Sequence, residues 1–139
     1  MSTPLARKLG IKAGSSVVFV GQPDGFEGML EPLPRGVSIA TRVEGPHDVV
    51  VLFAHRRSAL ERRLPSLRKA LDYAGGLWIA YPKKASGVPS DLDFAVVQET
   101  GLAAGLVDNK SSSIDETWTA VRFVYRLSDR PEVTAPTTG

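Results

Sequence analysis

No cysteine occurs among the 139 residues. Disulfides, thiolate metal sites and a cysteine nucleophile are therefore excluded. Histidine is nearly as scarce: His47 and His55 are too few for a histidine-rich metal cluster. No apolar run approaches the roughly 20 residues that span a bilayer, so no membrane partner is expected. The opening "MSTPLARKLG" has no apolar core of a secretory signal, which makes the cytoplasm the default expectation. Concentrated basicity is missing as well. The net charge is only +2, and the isoelectric point of about 9.1 reflects how few groups titrate between neutrality and the lysines. Nucleic-acid binding needs a concentrated basic face, so nucleic acid is not an expected partner.

What is present fits one soluble globular domain. Hydrophobic residues make up 42% and charged residues 23%, both ordinary values, and the length suffices for a core without covalent staples. The charge is unevenly placed. Residues 56–84 carry eight basic side chains against two acidic ones, a net of +6, while residues 85–120 carry one against six, a net of −5. Solvated faces are the plain reading. The sharper readings are a basic patch for an anionic ligand, or complementary patches that join a homodimer.

Along the chain, "TPLARKLGIKAGS" reads as a short helical or irregular lead-in. "SVVFVG" (16–21) is a continuous β-branched run closed by Gln22-Pro23-Asp24-Gly25, the pattern of a strand buried on both faces. "GFEGMLEPLP" has room for a short helix only, because Pro32 and Pro34 end it. "GVSIATRV" (36–43) and "HDVVVLFA" (47–54) are the next two strands. A helix then follows, with Ser58 and Glu61 at the spacing of a capping box and Leu60, Leu64, Leu67 and Leu71 along one face. Pro65 is expected to kink or split it, and Gly75-Gly76 to end it. "LWIAY" (77–81) is the fourth strand. Ser90 or Asp91 is the expected cap of a helix running to about Glu99, with Leu92, Ala95 and Val96 as its apolar residues. Residues 105–115 and 117–127 form an antiparallel hairpin about Asp115-Glu116. The reading is one α/β domain over residues 1–127 and a disordered tail, rich in Pro and Thr, over 128–139.

Strands alternating with helices predict a Rossmann-like, mostly parallel sheet with helices packed on it and a C-terminal antiparallel hairpin. One joint is tight. Only residues 41–48 separate the second strand from the third. That is enough for an extended return without a helix; the alternative is an antiparallel second strand.

This order resembles a shortened adenosylmethionine-dependent methyltransferase fold, a Rossmann-like sheet whose last strand runs antiparallel. One strand and one helix after the second strand are missing. The stretches "TPLARKLGIKAG", "WIAYPKKASGVPSDL", "GLVDNK" and "DETWTAVRFVYR" resemble a family of small bacterial proteins, the domain of unknown function three-thousand-and-fifty-two. That second resemblance implies a fold and no activity. The first implies S-adenosylmethionine as cofactor, a Gly-rich turn after the first strand and an acidic residue ending the second. Here the turn is "GQPDGFEG", with Gly21, Gly25 and Gly28 in a different spacing and with Pro23 removing an N–H. "ATRVEG" puts Arg42 near the end of the second strand, with Glu44 further on. "AHRRS" stands where an Asn/Asp-Pro-Pro-aromatic element is usual.

Ligands of open α/β sheets bind beyond the carboxyl ends of the parallel strands. The loops "GQPDG", "TRVEG", "HRRS" and "PKKASG" should meet there. The candidate ligand residues are therefore Gly21, Asp24, Arg56, Arg57, Lys83, Lys84, Ser86 and Gly87, a cradle for a small anionic ligand or an acidic protein surface. Ser86 has no base beside it, and "KKASG" is not a Walker loop, so no catalytic residue is assigned. His55 reads as a hydrogen-bonded structural group, Trp118 as a core aromatic, and Asp115-Glu116 as turn residues. The first functional reading is a non-catalytic binding or regulatory module with a basic edge. The alternative is an adenosylmethionine-dependent methyltransferase or nucleotide-binding enzyme.

Overall fold

The computed structural model describes residues 4–130. The apolar runs of "HDVVVLFA" and "LWIAY" become the middle of a six-stranded sheet. Strands β1 (Ser16–Val20), β2 (Ser38–Ala40), β3 (His47–Phe53), β4 (Leu71–Pro82), β5 (Leu106–Ser113) and β6 (Trp118–Tyr125) lie in the order β2-β1-β3-β4-β6-β5. β2, β1, β3 and β4 are mutually parallel, and β6 is antiparallel to both of its neighbours. The last strand thus runs against the other five. The second strand is parallel: with only three residues it climbs so little that residues 41–46 bring the chain back under β1 without a helix.

Alternation along the strands divides the core into two layers. Val18, Val50, Leu52, Leu77, Ile79, Val121 and Phe123 face α3 (Arg57–Ala70) and α4 (Phe94–Ala103). Val17, Phe19, Val49, Val51, Trp78, Ala80 and Ala120 face α1 (Leu5–Lys8), α2 (Phe26–Met29) and the segments beside them. Trp78 is wholly buried and its indole N–H donates to the Leu9 carbonyl at 2.9 Å, which fixes the lead-in to the sheet. His47, also buried, accepts the Gly45 N–H on Nε2 at 3.0 Å, so its proton is on Nδ1 and points to the Ser16 hydroxyl at 2.9 Å.

Several local expectations are corrected. Ser58 and Glu61 do not cap α3: Ser58 lies inside the helix, and the Arg57 N–H is bound by Asp91 Oδ1 at 2.7 Å from a distant loop. Asp91 is therefore not the cap of α4; that is Asp93, which accepts the Val96 N–H at 2.8 Å. The buried side of α4 is Val97, Thr100 and Gly101, while Ala95 is exposed. α3 runs through Pro65 without a break. It ends at Ala70, not at the glycines, and the chain passes straight into β4. Leu71 therefore joins the same apolar layer as Leu60, Leu64 and Leu67, but from the strand. Burial of such leucines stabilises by about 1.5–3 kcal/mol each, from either element. Gly75 and Gly76 lie within β4 because neighbours leave no room for side chains. A Cβ at Gly75 would stand 2.6 Å from the Asp48 carbonyl oxygen, and one at Gly76 would overlap the Arg122 guanidinium.

Leu127–Asp129 form one 3-10 turn, and Arg130 donates to the Tyr125 carbonyl at 3.0 Å. The remainder of the expected tail, 131–139, lies outside the described residues.

The capping assignment is open to test. Asp91→Ala is expected to lower stability by about 1 kcal/mol, and Ser58→Ala by less than about 0.5 kcal/mol, both read from urea unfolding midpoints. A larger loss from Ser58→Ala would restore the capping box.

Candidate functional site

The chain leaves β1 toward β2 on one side and leaves β3 toward β4 on the other. The crevice between the carboxyl ends of β1 and β3 is therefore the topological switch point of the sheet, the place where ligands of such sheets bind. Gly21 sits at its base with φ of +71°. A Cβ there would be 2.8 Å from the Phe53 carbonyl oxygen at the end of β3. Glycine thus answers two demands at this position: a left-handed backbone and a close pass between strands. Beyond it, residues Gln22 to Gly28 line a cleft of about 350 Å³, within the roughly 300–1,000 Å³ usual for small-molecule sites.

The cleft is shaped from below by an aromatic chain. Phe19, Phe26, Phe53 and Trp118 meet edge to face at centroid distances of 5.1, 4.8 and 5.0 Å, and His55 closes the chain on Trp118 at 5.1 Å. Phe26 is buried and holds α2, and with it the cleft, against the sheet. Trp118 is a core aromatic, as its setting in a strand suggested. His55 is different from its expectation. Its ring is exposed and, among the described residues, makes no hydrogen bond; only its backbone carbonyl does, accepting from Asp91 N and Ser90 Oγ. The structural histidine is His47. A lone histidine at a strand end carries no signal that separates these two cases; the partners of His47 come from residues distant in sequence or from a turn.

The candidate ligand residues divide into groups. Asp24 lines the cleft and is exposed, and Gly21 lies at the end of β1 just before it. Arg56 is exposed beside His55, where α3 begins. Arg57 points elsewhere: its guanidinium binds Glu61 at 3.0 Å and Glu99 at 2.6 Å. Those hydrogen bonds, Glu61 first, hold its pKa above the ordinary arginine value. One residue of each stretch, Arg57 and Glu99, thus meets the other within one chain, between α3 and α4. The lysine loop is largely self-contained. Lys83 donates to Ser113 Oγ at 2.7 Å, the Ser86 hydroxyl donates to the Lys83 carbonyl at 2.6 Å, and the Gly87 N–H donates to the Lys84 carbonyl at 3.2 Å. Gly87 takes a left-handed φ of +75° to close that turn. Lys84 is exposed.

No family model and no curated protein matches the chain. Solved structures do. A TehB-like SAM-dependent methyltransferase from Corynebacterium glutamicum superposes with a TM-score of 0.55 at 13% identity, over 91% of this chain and 89% of that one. A SAM-dependent methyltransferase from Aquifex aeolicus gives 0.62 at 14% identity, over 86% of each. Aeropyrum pernix fibrillarin with natively bound S-adenosyl-L-methionine gives 0.57 at 14%, over 86% of this chain and 73% of that one. The fold is methyltransferase-like. At these identities the likeness establishes the fold alone. Among the described residues, no helix is long and apolar enough to cross a membrane, and no three acidic or histidine side chains gather as a metal site.

The methyltransferase-like fold carries a shortened wall where a longer one is expected. α2 has four residues and β2 three. Arg42 and Glu44, the charged residues after β2, are both open to solvent and lie 3.8 Å apart.

Gly21→Ala is expected to destabilise by about 2–3 kcal/mol, since strain at positive φ and a steric clash both act. Gly25→Ala, with φ of +85° and nothing near a Cβ, is expected to cost about 1 kcal/mol. Equal losses in denaturant titrations would contradict the close pass at Phe53.

Proposed function

We propose that the chain binds S-adenosylmethionine in the crevice beyond β1 and β3 and works as a small methyltransferase-type protein. The observation that carries this reading is Gly21, a left-handed glycine pressed against the end of β3 at the switch point of a methyltransferase-like sheet. The likeness of the fold to solved methyltransferases favours the enzyme alternative over the non-catalytic module. The resemblance to the small bacterial family rests on its four sequence stretches alone.

The residues present fit a nucleoside-sized ligand approached by backbone. Gly21 carries the chain past the end of β3, and the cleft that follows it is lined by the single loop Gln22 to Gly28. The carboxylate expected at the end of β2 is absent there, because Thr41 and Arg42 follow Ala40. We assign its task of accepting hydrogen bonds from ribose hydroxyls to Asp24 in the cleft itself. Glu27 is a weaker candidate, since it already accepts from Gln22 Nε2 at 3.3 Å. The bound cofactor supplies an electrophilic methyl group. On the protein side, His55 is the exposed imidazole beyond β3, held on the Trp118 ring. It is suited to take a proton from an acceptor in that neighbourhood.

Calorimetric titration with S-adenosylhomocysteine tests the reading. Binding in the micromolar range is expected. Asp24→Ala should weaken it at least tenfold, about 1.4 kcal/mol, and Lys83→Ala/Lys84→Ala should leave it within about twofold. Absence of binding by the unaltered protein would sink the methyltransferase reading and return the fold to a scaffold with a basic edge.

A further inference from the structure

A second cleft, of about 520 Å³, opens near the amino ends of the same parallel strands. Arg7, Gly10 and Lys12 of the lead-in border it on one side. Asp48, Ala74 and Gly75 form its sheet edge, and Lys110 and Arg122 come from β5 and β6. Arg122 is paired with Trp78 in register on one neighbour and with Lys110 on the other. All three therefore project from the same face of the sheet. The Lys110 ammonium lies 5.6 Å from the Trp78 ring centroid.

The charge balance of this cleft is one-sided. Four cations line it against a single carboxylate. That carboxylate is already engaged, because Asp48 Oδ2 accepts the Ser16 N–H at 2.8 Å. Arg122 is the informative member. Its guanidinium is laid over the backbone of Gly76, where any side chain would collide with it. It is half-buried and pairs with no carboxylate among the described residues. Burial, and then the charge of Arg130, push its pKa below the ordinary arginine value. An arginine does not escape such a setting by losing its proton. A partly desolvated cation without a counterion is unfavourable, and the unfavourable part is removed when an anion enters.

We propose that this cleft is a binding site for a phosphate-bearing small molecule, gripped by Arg122 and Lys110 from the sheet and by Arg7 and Lys12 from the lead-in. Guanidinium and ammonium groups gathered on one concave surface match the several oxygens of a phosphoryl chain. The site is distinct from the crevice at Gly21. From Gly76 to Pro82 there are six residues of strand, or about 20 Å at roughly 3.3 Å per residue. It does not rest on the cofactor reading.

Sodium tripolyphosphate is the probe. Calorimetry at about 50 mM and about 200 mM salt should show binding that weakens at the higher salt. Arg122→Gln/Lys110→Gln should weaken it at least tenfold. Lys83→Gln/Lys84→Gln, at the far edge of the sheet, should leave it within twofold. Arg7→Gln/Lys12→Gln, which alters only exposed side chains, should also weaken it and decides the matter if the first pair fails to fold. Thermal melts should show the probe raising the unfolding temperature of the unaltered protein. No binding by that protein, or equal loss from the Lys83/Lys84 pair, overturns the proposal.

Discussion

Strands β3 and β4 are covered on both faces, and the rest of the molecule is arranged by that fact. A strand with apolar side chains on both sides has no face to give to water, so helices or loops must pack on each side of it. Val50, Leu52, Leu77 and Ile79 take α3 and α4; Val49, Val51, Trp78 and Ala80 take the lead-in and α2. Parallel pairing of β3 with β1 and β4 then brings three strand ends to one edge, and the reversal of strand order between β1 and β3 opens the crevice. The cofactor reading follows from this geometry more than from any single side chain.

The two edges of the sheet differ in character. At the carboxyl edge two of the four cations that suggest a cradle are engaged, Arg57 with Glu61 and Glu99 and Lys83 with Ser113 of β5, while Arg56 and Lys84 are exposed. Beside them stand backbone, an aromatic floor, Asp24 and an exposed imidazole. At the amino edge, four cations from three parts of the chain, the lead-in, β5 and β6, converge with little to neutralise them. Of the two lysines of "PKKASG", Lys83 is bound to Ser113 and Lys84 is exposed, while Lys12, Lys110 and Arg122, which no local pattern links, share a cleft.

Much of the fold was legible in the sequence because the signals are local. Apolar runs of β-branched residues gave the strands, and the Asp115-Glu116 turn between them gave the hairpin, which Asp115 Oδ1 holds by accepting from Thr117 N and Trp118 N, each at 2.8 Å. Errors arose where distant backbone decides. Gly75-Gly76 reads as a helix stop by local rules, yet it is a strand pair thinned to let Asp48 and Arg122 pass. Asp91 reads as the cap of the next helix, yet it reaches back to Arg57. The direction of β2 was open because loop reach alone permits both outcomes; its three-residue length, which settles it, is not written in "VSIATRV". The site was half legible. Gly21 and Asp24 follow from strand order, but the aromatic chain to His55 joins residues 19, 26, 53, 55 and 118, and only the folded sheet assembles it.

The central claim is that the crevice at the end of β1 is the cofactor site. Amide chemical shifts of the nitrogen-15-labelled protein during addition of S-adenosylhomocysteine test it residue by residue. Shifts concentrated at Gly21 to Gly28 and at His55 are expected, with Lys12, Lys110 and Arg122 unmoved. A spectrum that does not change, or changes centred on the amino-edge cleft, would contradict it.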